Sequence, residues 1–111
     1  MNDNYTSLAN ILDQAMNQAS NGKGQERHAS GEAFTEQPMF WIEREFKSFQ
    51  LGQAVKKIHE AQRLEPEAAK REILGAIVYL AAHCIMLDEL IAETSVNEAL
   101  DAMLEGRQVL S

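Results

Sequence analysis

The most unusual polar stretch of the chain is Gly22-Lys23-Gly24-Gln25-Glu26-Arg27-His28-Ala29, followed by Phe34, Gln37 and Pro38. Glycines expose backbone N–H groups, and Lys23 and Arg27 supply charge-assisted donors. The segment therefore has the chemistry to hold a phosphate or a carboxylate. It is not a P-loop, because the spacing that ends in Gly-Lys-Ser/Thr is missing. A solvated surface loop accounts for the same composition. A second cluster is Gly52-Gln53-Ala54-Val55-Lys56-Lys57. On a helix Gln53 and Lys57 share a face, with Lys56 beside them. Glutamine offers both a donor and an acceptor to the edge of a base, the lysines oppose phosphate, and the helix N-terminus adds its positive end. An ordinary exposed lysine pair flanked by Glu60 is the plainer reading. Together the two clusters give a candidate ligand-binding set of Lys23, Arg27, His28, Gln37, Gln53, Lys56 and Lys57. They converge only if the glycine-rich segment folds over the start of the Gln53–Lys57 helix.

Catalytic chemistry has weaker support. Helical nucleotide pyrophosphohydrolases hold magnesium with Glu-x-x-Glu and Glu-x-x-Asp pairs, since a hard cation needs converging oxygen ligands. Here Glu72 stands near the start of the central helix, but Gly75 occupies the position of its acidic partner. Glu60 and Glu65 are one position too far apart, and Asp88, Glu89 and Glu93 suit a solvated helix end. Cys84 follows His83, yet neighbouring helix positions point about 100° apart. A buried thiol without a nearby cation is inert. The histidines at 28, 59 and 83 do not make a metal site by spacing. No catalytic residue, metal or cofactor is expected.

The elements that must position these groups are helices. Leu8, Ile11, Leu12, Ala15, Met16 and Ala19 recur at spacings of three and four, which predicts a helix over 5–19 behind a flexible tail at 1–4. Residues 20–38 read as one long polar loop, with Thr35 and Pro38 suited to the start of the next helix. A second helix is predicted over 39–49 and a third over 51–64, the two being readable also as one bent helix. Phe34, Phe40, Trp41, Phe46 and Phe49 are expected to supply core, and Gly52 a kink or a close backbone approach. Pro66 opens the central helix, about 66–92, whose Ile73, Ile77, Leu80, Cys84, Leu87 and Ile91 follow a 4-3-4-3-4 spacing. Its second apolar face, through Leu74, Val78, Ala81, Ile85 and Leu90, predicts a central position, a subunit interface, or both. Ser95 with Glu98 has the pattern of a capping box, which predicts a separate last helix ending at Gly106. No segment alternates as a strand would. The fold class is thus an all-α single domain, a small helical bundle built around one long helix, and a homo-oligomer is expected through that helix.

Bulk properties narrow the setting. A chain of 111 residues with 45% apolar content has room for one domain and one core. A single cysteine rules out a disulfide framework and fits a reducing cytoplasm. The N-terminus lacks the basic start and apolar stretch of a signal peptide. The apolar run from Ile73 to Leu87 is 15 residues, short of the roughly 20 that span a bilayer. The net charge is −7: residues 1–71 hold 10 acids and 9 Lys/Arg, residues 72–111 hold 7 acids and Arg107. Non-specific duplex DNA binding is therefore disfavoured, and the acidic C-terminal part suits either solvent or a basic partner.

The run Gly22-Lys23-Gly24, Arg27-His28-Ala29, Phe34, Gln37-Pro38, then Gly52-Gln53-Ala54, Lys56-Lys57, Glu60-Ala61, then Glu72 to Ile77 and Tyr79, resembles a family of small, largely uncharacterised bacteriophage-encoded proteins. The resemblance covers residues 22 to 90 and implies a setting, the cytoplasm of a host cell, rather than a mechanism. Small phage accessory proteins sequester nucleotide signals, block host defence or replication proteins, or adjust nucleotide pools. Three functions follow as expectations: a non-catalytic protein binding a phosphorylated nucleotide-like ligand, an inhibitor acting on a host protein through its surface, and a magnesium-dependent phosphohydrolase.

Overall fold

A computed structural model of the chain describes residues 3–21 and 33–110. It is all-α: α1 spans Thr6–Asn21, α2 Pro38–Glu45, α3 Phe49–Ala61 and α4 Pro66–Leu110. Short 3-10 turns at Asp3–Tyr5 and Phe34–Glu36 precede α1 and α2. The expected tail thus already turns at Asp3, and the expected loop is helical at both of its described ends. The stretch 22–32 lies outside the described residues.

Each boundary has a local cause. Pro38 occupies the first turn of α2, where its missing N–H costs nothing. Helix α2 stops at Phe46, and Ser48 takes a left-handed conformation with φ 72°. That turn separates α2 from α3, so the two are not one bent helix. The end of α3 tightens into 3-10 hydrogen bonds over Gln62, Arg63 and Leu64. Glu65 belongs to no element, as suits a residue before proline, and Pro66 opens α4.

Helix α4 differs from expectation in length. It runs unbroken for 45 residues through the position assigned to a break at 92–95. Ser95 and Glu98 do not cap a new helix there. Thr94, one residue earlier, returns its hydroxyl to the carbonyl of Leu90 at 3.0 Å, the bond a hydroxyl makes inside a continuous helix.

Helices α3 and α4 form an antiparallel pair. Gln50 meets His83 at the far end and Lys57 meets Glu72 nearer the connection. Helix α1 lies against the other flank of α4, where Gln18 donates to the carbonyl of Arg71 at 3.0 Å. The core is thin. Among the described residues its fully covered apolar members are Phe40, Leu74 and five alanines, Ala15, Ala54, Ala61, Ala76 and Ala82. Phe34 meets Phe40 edge-on at 5.4 Å, and Phe49 meets Tyr79 at 6.3 Å. Trp41 and Phe46, by contrast, face solvent, so the aromatic run supplies less core than its composition suggests. Met16 and Met103 are exposed as well.

The molecule measures 69 × 38 × 28 Å with a radius of gyration of 19.0 Å. A compact domain of this length has about 13 Å. The excess comes from α4, whose described residues after Met86 are all exposed.

Candidate functional site

Four features stand out among the described residues: a buried polar bracket, a lysine laid across α4, a groove between α1 and α4, and the exposed faces of α4.

The bracket begins at Glu43, which is covered although it is charged. Its two carboxylate oxygens accept the backbone N–H of Ser48 at 2.9 Å and of Gln50 at 2.7 Å. These are donors at the start of α3 that have no partner within that helix. A side chain from the preceding helix therefore caps the next one, and the positive end of α3 favours its charge. Gln50 is buried completely. Its amide nitrogen reaches the carbonyl of Met39 at 3.4 Å, and its amide oxygen lies 3.2 Å from Nδ1 of His83. Three helices are thereby tied at one point. Both carboxylate oxygens are engaged and the glutamine is satisfied at each end, so the bracket reads as architecture rather than as an acid–base pair. Sequence reasoning missed it. The available signal was a glutamine placed between Phe49 and Leu51 with a glutamate seven positions before it.

Lys57 was expected to meet phosphate. Its ammonium instead lies 3.8 Å from the carboxylate of Glu72 and 6.0 Å from the ring centre of Tyr79. Its stem crosses α4 at Gly75, where a Cβ would stand 3.1 Å from the lysine Cδ. Gly52, read as a kink or a close backbone approach, faces open space within α3, and the close contact at a glycine is at Gly75, with a side-chain stem. The same pairing engages Glu72, the acid considered for magnesium. Among the described residues no three His, Cys, Asp or Glu side chains gather as a metal ion needs. Cys84, expected to be buried, is exposed.

The remaining expected ligand residues separate. Gln53 is half-buried and Lys56 exposed on α3, while Gln37 is buried beside α1. Lys23, Arg27 and His28 lie outside the described residues. Gln37 lines a groove of about 1030 Å³ between α1 and α4, with Leu12, Met16, Phe34, Ile77 and Ala81 among its walls. Gln53, Lys56 and Lys57 do not line it. The walls are mainly apolar, and Asp13 is the charged side chain on its described rim.

Helix α4 carries two different exposed apolar stripes. Ile73, Leu80, Cys84, Leu87 and Ile91 are exposed along the seam, with Ile77 half-buried at the margin of the groove. Beyond it Val96, Leu100, Met103 and Leu104 are exposed too. At about 100° per residue this second stripe lies roughly 165° around the helix from the first. The charged residues of 87–105 are Asp88, Glu89, Glu93, Glu98, Asp101 and Glu105, all acidic. One of them, Glu89, lies 3.7 Å from Arg44 across an exposed pair. By length and composition α4 is also able to cross a membrane. Its first half, however, covers Leu74, Ala76 and Ala82 against its neighbours and holds the Lys57–Glu72 pair. Comparison of the chain with protein-family models, with curated proteins and with solved structures gives no match.

Proposed function

We propose that the protein is a non-catalytic accessory protein that acts by binding another protein through the C-terminal arm of α4. The observation that carries this reading is the arm itself. The helix continues past Met86 with every described residue exposed, and there presents Val96, Leu100, Met103 and Leu104 on a stretch, 87–105, whose charged residues are all acidic. An isolated helix of this length is marginal in water, so a partner would stabilise as well as recognise it. Charge complementarity names the partner's chemistry: a basic surface with an apolar groove that accepts one helix face. A phage-encoded inhibitor of a host defence or replication protein in the host cytoplasm is the setting we propose for it.

Capture from host lysate on immobilised protein, followed by identification of the retained species, tests the reading. We expect one basic protein to be held by the wild type. Glu98→Lys with Asp101→Lys and Glu105→Lys should release it, as should Leu100→Glu. Capture that survives both variants sinks the reading.

Binding of a phosphorylated nucleotide-like ligand is the second reading, and the α1–α4 groove favours it. Its apolar walls suit the face of a base and Gln37 suits an edge. In sequence, the stretch with Lys23, Arg27 and His28 begins two residues after Ser20 and ends two before Phe34, both groove residues. The ligand would thus sit at the groove and not at the start of α3, where Lys57 already has Glu72. Thermal shift and calorimetry against mono-, di- and cyclic nucleotides decide it. Folded protein that binds none below millimolar removes it.

A further inference from the structure

We infer that the chain pairs with a second copy of itself along the 73–91 seam of α4, antiparallel, about a twofold axis at residue 82. This surface is separate from the arm stripe and the inference does not rest on the function proposed above.

The spacing of the seam demands a helical occupant. Six positions at intervals of four and three form the edge that meets another helix by knobs-into-holes packing. Within the single chain that edge is open: Leu80 is 42% exposed, Leu87 44% and Ile91 63%. Other helices of the same chain lie elsewhere, with α1 and α3 on the remaining sides of α4. Among the described residues 19 large apolar side chains are exposed, far more than scattered surface residues of a monomer explain.

The occupant is a second copy because the seam is complementary to itself when reversed. A twofold interface requires that if residue i meets j, then j meets i. Here Ile73 pairs with Ile91, Ile77 with Leu87, and Leu80 with Cys84, every pair of numbers summing to 164. Each apolar layer therefore has an apolar partner, along a seam of about 27 Å at 1.5 Å per residue.

Charge selects the direction. The same register continues as Lys70 before the seam and as Thr94, Glu98, Asp101 and Glu105 after it. Parallel pairing in register would stack Glu98, Asp101 and Glu105 each on its own copy, and Lys70 on Lys70. Antiparallel pairing sets Lys70 beside Thr94 and Arg71 beside Glu93, and carries the acidic arms to opposite ends.

The test is the solution mass of the full chain by sedimentation equilibrium, with orientation read by cross-linking. The wild type should show twice the chain mass of 12.4 kDa. Leu80→Lys with Leu87→Lys should show one chain mass at unchanged helical circular dichroism, because both side chains point away from the monomer's own core. For orientation, Cys84→Ala is the background. Ile73→Cys with Ile91→Cys should form a covalent dimer under mild oxidant, while each single cysteine should not. A wild type of one chain mass overturns the inference. So does cross-linking of either single variant, the mark of a parallel pair. A monomer that instead floats with phosphatidylcholine vesicles, and loses them in the double-lysine variant, overturns it in favour of a lipid surface.

Discussion

The carboxylate of Glu43 sits 2.7 Å from the backbone nitrogen of Gln50, so the last turn of one helix caps the first turn of the next. The cap is remote in sequence, buried, and shared with the N–H of Ser48. Glu43→Ala leaves the buried N–H of Gln50 and the part-buried N–H of Ser48 without their acceptor and should destabilise the protein by about 1–3 kcal/mol. Glu43→Gln keeps one acceptor and should fall between the two. Urea unfolding followed by circular dichroism measures both, and an alanine variant within about 0.5 kcal/mol of wild type would show that water replaces the cap.

Ser48 and Gly52 each hold the conformation that suits the other's residue type. Ser48 is left-handed, a conformation glycine adopts freely, whereas Gly52 is helical with open space around its missing Cβ. Ser48→Gly and Gly52→Ala should each raise stability by about 0.5–1 kcal/mol. The denaturation midpoint reports both. A loss in either variant contradicts the local geometry.

Two phenylalanines six residues apart in one aromatic run should respond in opposite ways. Phe40 is covered entirely and meets Phe34 edge-on, so Phe40→Ala should cost about 3–5 kcal/mol. Phe46 is 69% exposed, and Phe46→Ser should change stability by no more than about 0.5 kcal/mol. Thermal melts of the pair separate this arrangement from any in which the whole run is core.

Gly75→Ala sets two modest effects against each other. Alanine gains about 1 kcal/mol of helix propensity over glycine, while the new methyl pushes aside a flexible lysine stem. The Lys57–Glu72 pair it disturbs is part-exposed and contributes at most about 1 kcal/mol. We expect the variant to match or exceed wild-type stability. A melting temperature lowered by several degrees would mean that Lys57 holds α3 to α4 more strongly than its exposure implies.

Much of the fold was legible because spacing and punctuation act locally. The stripe from Leu8 to Ala19 marked α1 within two residues, and Pro38 and Pro66 marked two helix starts. The continuity of α4 was not legible. Ser95 and Glu98 form a start signal, but without glycine or proline between Ala76 and Glu105 nothing compels a stop. The exposure of Cys84 escaped for another reason: spacing shows that a face needs covering, not which chain covers it. Glu43 escaped because its role depends on the turn at Phe46–Ser48, which brings positions 43 and 50 together. Of the expected ligand residues, Lys57 has a partner, Glu72, that lies on another helix and so could not be read from spacing along its own.

The length of α4 has one more consequence. By backbone geometry it is a single rod, but only its first half is braced by neighbours, so its two ends differ in opening free energy. Amides near Leu74 and Ala82 should exchange with deuterium only through extensive unfolding, whereas those beyond Ala92 need only fraying of the free end. Exchange rates should therefore climb along one uninterrupted helix, and any partner that engages the arm would flatten that gradient.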